Sequence, residues 1–425
     1  MAVGMGMMRK LAFGIGATVG ALMLSGVGQS VAQQAATPSP QAQRPGAYGF
    51  SQEGLAGIQD LMETAIRDGR IPSGIAMVAR DDEIVWLGTA GEMGPGVYMR
   101  EDAIVPLASV GKMYTAVAAM ILVERGAISL DDPVSKYIPE FADVMVEVAD
   151  ESGALRLVAP ETPVTIHHLL THTGGLRMSG DAFWAAWNAH VGRTTTTDMA
   201  RALAALPLES QPGAKFSYGA TGASYEALGA VIEIAGDRTL EAFMIENIFE
   251  PLGLHDTHFY LPDEKSERMP AFYRKVDGAL KPDRAYGEDF PRSTYFNGGG
   301  GVESSPQDIL RFAQIFLNDG TVDDVRILKP ETVRLMMSDH LGERAPPGGE
   351  DISWGLGAAV QRGADRSAPG RYGWVGGNYA VFWVDRPARL VAYFAFPIMP
   401  PGDGALLNDF RRLVYTAMAA PDAKR

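Results

Sequence analysis

The feature that most constrains the fold is the placement of strand-like runs near both ends of the chain, with helical patterns filling the space between. Residues 74–79 and 83–89 are short apolar runs separated by Asp81-Asp82, and residues 380–384 and 390–396 are β-branched and aromatic runs separated by Asp385-Arg386-Pro387. Each pair reads as a hairpin. Between them the period changes to that of helices. Leu55, Ile58, Leu61, Met62 and Ile66 share one face early in the chain. Met113, Val117, Met120, Ile121 and Val123 keep mostly to one side of a pattern that starts at Ser109 and stops at Gly126. Tyr225, Leu228 and Ile232 mark another that starts near Gly222 and closes at Gly236. Ser305-Pro306-Gln307-Asp308 predicts a helix start with a capping box, ahead of an apolar stripe of Ile309, Phe312, Ile315 and Phe316. A last helix is predicted over residues 406–418. Paired strands from both ends favour one antiparallel sheet flanked by helices, with a mostly helical insertion: an α/β (α+β) fold.

The first residues do not belong to that fold. Arg9 and Lys10 precede an uncharged, largely apolar run over residues 11–28, followed by small residues at Ser30 and Ala32. This is the layout of a signal peptide, residues 1–32, cleaved after Ala32, and it implies export to the periplasm or secretion. The alternative is a membrane anchor, against which Gly14, Gly16, Gly20 and Gly26 dilute the run. Residues 33–47, rich in Ala, Gln, Pro and Ser, read as a flexible lead-in, and residues 48–420 as the globular domain.

Composition narrows the function. The 425-residue chain has 46% hydrophobic and 21% charged residues, the balance of an ordinary globular protein. It has no cysteine, so disulfides and thiol nucleophiles are excluded. A net charge of −14 and the lack of a basic tract oppose binding to phosphate backbones, leaving a small molecule as the expected partner.

The chemistry-bearing candidate is Ser109-Val110-Gly111-Lys112 at a helix start. Residues three apart project to one side, so hydroxyl and amine can meet. A serine hydroxyl needs a base to become a nucleophile, and a lysine held in a partly dry site can act as one. Backbone N–H groups at the helix start favour an oxyanion beside it. The plainer reading of the same four residues is a capping serine followed by a surface lysine.

The other motifs tip that balance. Around Ser109 and Lys112, through Leu130-Asp131-Asp132-Pro133, His168-Leu169-Leu170-Thr171-His172-Thr173-Gly174-Gly175, Phe216-Ser217-Tyr218, Pro251-Leu252-Gly253-Leu254 and Gly298 to Gly301, the chain resembles the penicillin-recognising superfamily. Within it the chain is most similar to class C β-lactamases and family VIII carboxylesterases. The resemblance implies a β-lactamase/transpeptidase-like fold. It also implies Tyr218 as a second base, a phenolate beside Lys112 taking the Ser109 proton; Tyr225 is a rival for the role. Ala220 stands where lactamases have an asparagine. Trp374-Val375-Gly376 stands where they have a basic or polar residue, any residue and glycine. An indole offers one N–H and a broad apolar face, which suits neutral esters better than a substrate carboxylate. By the same resemblance Trp374 and Gly376 line the substrate site, and the backbone N–H groups of Ser109 and Gly377 form the oxyanion hole.

The remaining features carry less. His167, His168 and His172 lack the carboxylate or cysteine partners of a metal site and read as packing and capping residues. Gly298 to Gly301 lacks the Lys-Ser/Thr of a phosphate loop and reads as a tight turn, as does Asn318-Asp319-Gly320. Phe183, Trp184 and Trp187 line either an acyl pocket or a core helix face. No GxSxG elbow is present. The expectation is a cofactor-free, metal-free serine carboxylesterase acting through an acyl-enzyme on Ser109. The alternatives are a β-lactamase, D-amino peptidase or transpeptidase, and a non-catalytic binding protein that retains the fold.

Overall fold

In the computed structural model, residues 45–219, 222–283, 293–344, 351–362, 370–399 and 403–418 are described. The leader and most of the lead-in lie outside these residues; the lead-in's last residues open a 3-10 turn, Pro45–Tyr48. Among the described residues no helix is long and apolar enough to cross a membrane.

Helix α1 (Gln52–Arg67) starts on Ser51, whose side chain accepts from the Gly54 N–H, and buries Leu55, Ile58, Met62 and Ala65. Strands β1 (Ser73–Arg80) and β2 (Glu83–Gly94) follow as the expected hairpin. Asp81 and Asp82 both take positive φ, 51° and 69°, as a two-residue turn whose twist matches its strands requires. Beyond β3 (Val97–Tyr98) come α2 (Lys112–Glu124), α3 (Ala223–Gly236) and α4 (Pro306–Leu317). The chain then returns through β4 (Ile352–Trp354), β5 (Ala359–Gln361), β6 (Arg371–Val375), β7 (Ala380–Asp385) and β8 (Leu390–Ala395) to a last helix, α5 (Gly404–Ala417).

The eight strands form one antiparallel sheet in the order β4-β5-β6-β7-β8-β1-β2-β3. The two chain ends meet inside it, where Ile75 of β1 pairs with Ala395 of β8 and Arg80 with Leu390. Because successive side chains point to opposite faces, β1 feeds two cores. Ile75, Met77 and Ala79 pack with α2, α3 and α4, whereas Ala76 and Val78 pack with α1 and α5.

Two expectations are corrected. The single apolar face expected of α2 gives way to burial all round, from Lys112 through Leu122, because the helix runs inside the larger core. At α4, Ser305 caps the Asp308 N–H as expected, but no capping box forms. The Asp308 carboxylate instead accepts from the Asp256 N–H (2.7 Å) and the Thr257 hydroxyl (2.8 Å).

Candidate active site

Ser109 sits in a 3-10 turn, Ala108–Gly111, that runs directly into α2. The turn is clamped from both sides by glycines. A Cβ on Gly300 would lie 2.9 Å from the Ala108 carbonyl carbon, and one on Gly376 would lie 2.4 Å from the Leu107 oxygen. Ala108 itself is held at φ 46°, a left-handed value that an alanine adopts only under outside constraint. Asn378, just past β6, donates to the Pro106 carbonyl and adds a third tie.

Lys112, 1% exposed, has its Nζ 2.9 Å from Ser109 Oγ and 2.7 Å from the Gly299 carbonyl. One turn on, the Thr115 hydroxyl donates to the Gly298 carbonyl (2.7 Å). The glycine run is therefore the floor of the site. It reads as a turn in sequence, but here glycine serves close approach, since a Cβ on Gly298 would meet the Tyr225 carbonyl at 2.3 Å.

Tyr218 is half-buried at the edge of this floor, its ring centroid 5.3 Å from Lys112 Nζ. Its hydroxyl accepts from Trp374 Nε1 (2.8 Å). Among the described residues no hydrogen bond joins Tyr218 to Ser109 or Lys112; such contacts often tighten only once substrate is bound. The rival Tyr225 is fully buried and donates to the Leu170 carbonyl (2.9 Å), with burial pushing its phenol well above the ordinary range. Its hydroxyl has a structural partner and no exposure. The single indole N–H of Trp374 is committed to Tyr218, so what Trp374 has left to present is its apolar face.

Ser109 is half-buried and Gly377 exposed, and a Cβ on Gly377 would meet nothing within 4 Å. Among the described residues neither backbone N–H is taken up by a backbone carbonyl, leaving both able to serve as oxyanion donors. Ala220 lies outside the described residues.

The histidines pack and cap. His168 completes a capping box with Thr165, and His167 Nε2 lies 3.0 Å from His340 Nδ1. His172 is buried against the Tyr218 ring at 4.7 Å, and burial, then Lys112, hold its imidazole well below the usual histidine range and so neutral. Phe183 belongs to the core and Trp187 stacks on it at 5.7 Å, while Trp184 is exposed.

One acid near the floor was not singled out from sequence. Glu226, fully buried on α3, accepts from the Tyr295 hydroxyl (3.1 Å) while its other oxygen is unpartnered. Burial pushes it up to about 8, opposed by Tyr295 and Lys112. A carboxylate within the fully buried first part of α3, residues 223–232, was the available signal.

With the geometry in place, comparison with known proteins is decisive. A family model described as Beta-lactamase matches residues 58–416. The chain belongs to the beta-lactamase family. Among curated members, it is 31% identical to Esterase EstB of Burkholderia gladioli over 81% of this chain and 91% of that protein. It is also 31% identical to Protein Rv1367c of Mycobacterium tuberculosis over 81% and 90%. A solved structure of this fold, EstCE1, described as a hydrolase with promiscuous acyltransferase activity, superposes with TM-score 0.71 at 25% identity, covering 87% of this chain and 99% of that one. The chain is thus a serine hydrolase enzyme of the beta-lactamase family, with esterase and acyltransferase relatives.

Proposed function

We propose that the protein is a carboxylesterase that cleaves short-chain esters through an acyl-enzyme on Ser109. Lys112 and Tyr218 are the proton carriers and the N–H groups of Ser109 and Gly377 the oxyanion donors. The Ser109 hydroxyl loses its proton to the Lys112–Tyr218 side as its oxygen bonds to the ester carbonyl carbon. The carbonyl oxygen takes the negative charge, the proton passes to the departing alkoxide, and the alcohol leaves. Water, deprotonated from the same side, then releases the acid and restores Ser109.

The observation that carries the ester reading is the hydrogen bond from Trp374 to Tyr218. It fixes an indole where a carboxylate-binding cation would stand, so the strand beside the nucleophile presents an apolar wall. The esterase relatives support the same reading. The test is hydrolysis of p-nitrophenyl butyrate beside a chromogenic cephalosporin, by the protein and its Ser109→Ala variant. Ester turnover lost in the variant by at least about a thousandfold, with little lactam cleavage, is expected. Efficient serine-dependent lactam cleavage would overturn the assignment, and absence of both would favour a binding role. A second reading, acyl transfer to an alcohol, is favoured by the EstCE1 likeness and is read from products formed with added alcohol.

A further inference from the structure

A recess opens on the side of β6 turned toward α5, with a volume of about 120 Å³. Its floor includes Val375 of β6 and Val381 of β7, a cross-strand pair, and the indole of Trp383. Two lining residues carry charge, and both are arginines: Arg371 at the start of β6 and Arg411 from α5. The Arg411 guanidinium lies 5.7 Å over the Trp383 ring and that of Arg371 lies 5.8 Å over the ring of Tyr415.

Neither arginine has an ion-pair partner among the described residues. Arg411 makes only a long contact, 3.4 Å, with the Asn408 side chain. Asp385 stands opposite Arg371 in register, but its oxygens are taken by the Tyr415 hydroxyl (2.7 Å) and the Ala388 N–H (3.1 Å). This is unusual in a chain with 51 acidic and 37 basic residues, where the sheltered Arg70, Arg177, Arg268 and Arg362 each sit on a carboxylate. Burial, and then the neighbouring Arg371, hold Arg411 below its ordinary value, so the two cations are together at a cost. Trp383, 4% exposed, has its indole N–H near the Tyr415 hydroxyl without a full hydrogen bond. The lining thus holds two cationic donors and no carboxylate, with the amide of Gln361 as its other polar side chain beside the indoles. That chemistry fits an anion, and paired guanidinium forks suit a carboxylate.

We propose that this recess binds a small aliphatic carboxylate, its oxygens held by Arg371 and Arg411 and its tail laid on Val375 and Val381. The volume is well below that of a drug-sized pocket, about 300 Å³ or more, so the ligand has only a few carbons. β6 carries Arg371 three residues before Trp374, so an occupant here would bear on the strand that walls the active site. The assignment does not depend on the ester reading.

Calorimetric titration of the protein with butyrate, alongside butyramide and inorganic phosphate, tests it. Saturable butyrate binding is expected, with both other ligands at least about tenfold weaker. Arg371→Gln and Arg411→Gln should each weaken butyrate by about tenfold or more, and Arg411→Lys, which keeps charge but not the fork, by less. Unliganded thermal midpoints show whether each variant folds; if Arg411→Gln does not, Arg371→Gln carries the test. Butyrate binding that the arginine variants leave unchanged would place the ligand elsewhere, including at Ser109, and overturn the proposal. So would equal binding of butyramide, tighter binding of phosphate, or no binding of butyrate.

Discussion

The two faces of the sheet differ in what they bury. On the face packed by α2 and α3, Lys112, Thr115, His172 and Glu226 are all buried. Tyr114, His172, Glu226, Asn297 and Tyr393 leave polar atoms unpartnered there. The face packed by α1 and α5 is a layer of Trp383, Phe394, Phe396 and Phe410, in which Trp383 is the residue whose polar atom lacks a full hydrogen bond. Desolvated polar groups cost stability, and close-packed aromatics supply it. The molecule thus concentrates its cost where the proposed chemistry lies and offsets it across the sheet.

The largest expected effect breaks the polar face alone. Tyr218→Phe removes the hydroxyl and keeps the ring, so kcat should fall by about 10²–10⁴ with little change in thermal midpoint. Trp374→Phe removes the donor to that hydroxyl and should cost about tenfold. If Tyr218→Phe kept full activity, the proton would travel by another route.

The opposite face predicts the converse. Phe410 is fully buried, with its ring 5.0 Å from Phe394 and 5.6 Å from Trp383. Phe410→Ala should cost about 3–5 kcal/mol in denaturant unfolding while kcat per folded molecule is unchanged. A parallel loss of kcat would show that the faces are coupled.

Neighbouring glycines sharpen the contrast to a single residue step. A Cβ at Gly376 would drive into the Leu107 carbonyl and shift the nucleophile turn, so Gly376→Ala should lower kcat by about a hundredfold. Gly377 has open space and offers only its backbone, so Gly377→Ala should stay within about twofold. Equal effects would mean that the clamp on the turn is not what positions Ser109.

Much of this was legible in the sequence. The Asp81-Asp82 turn, the apolar runs of both hairpins and the Ser305 cap encode local structure through short-range rules, and the sheet of the two chain ends follows from them. Ser109 and Lys112 are neighbours on one helical turn, so their meeting follows from spacing. What sequence did not convey depends on contacts between segments far apart. The Gly299 carbonyl lies 187 residues from its donor Lys112, and Asn378 is 272 residues from Pro106. The capping box failed for the same reason, because Asp256 and Thr257 claimed Asp308. Trp374 was placed at the site by its motif, but its bond to Tyr218 needed the fold.

Glu226 gives the finest test of the comparison. Its carboxyl is pushed up to about 8 in the folded protein against 4.5 for the free group, chiefly by burial. Between these values the folded state holds a proton that the unfolded state has released, so this residue makes stability fall as pH rises from about 4.5 to about 8. Glu226→Gln cannot ionise and should flatten that decline, gaining about 4 kcal/mol on the wild type between pH 5 and pH 9 in denaturant unfolding. Glu303, also raised to about 8 by burial, remains in the variant and leaves a residual slope. Parallel stability curves for the two proteins would show that Glu226 is ionised in the folded state across this range, with the Lys112 charge outweighing burial. The floor of the site would then be an ion pair rather than a neutral acid, and the polar face would cost less than its burial implies.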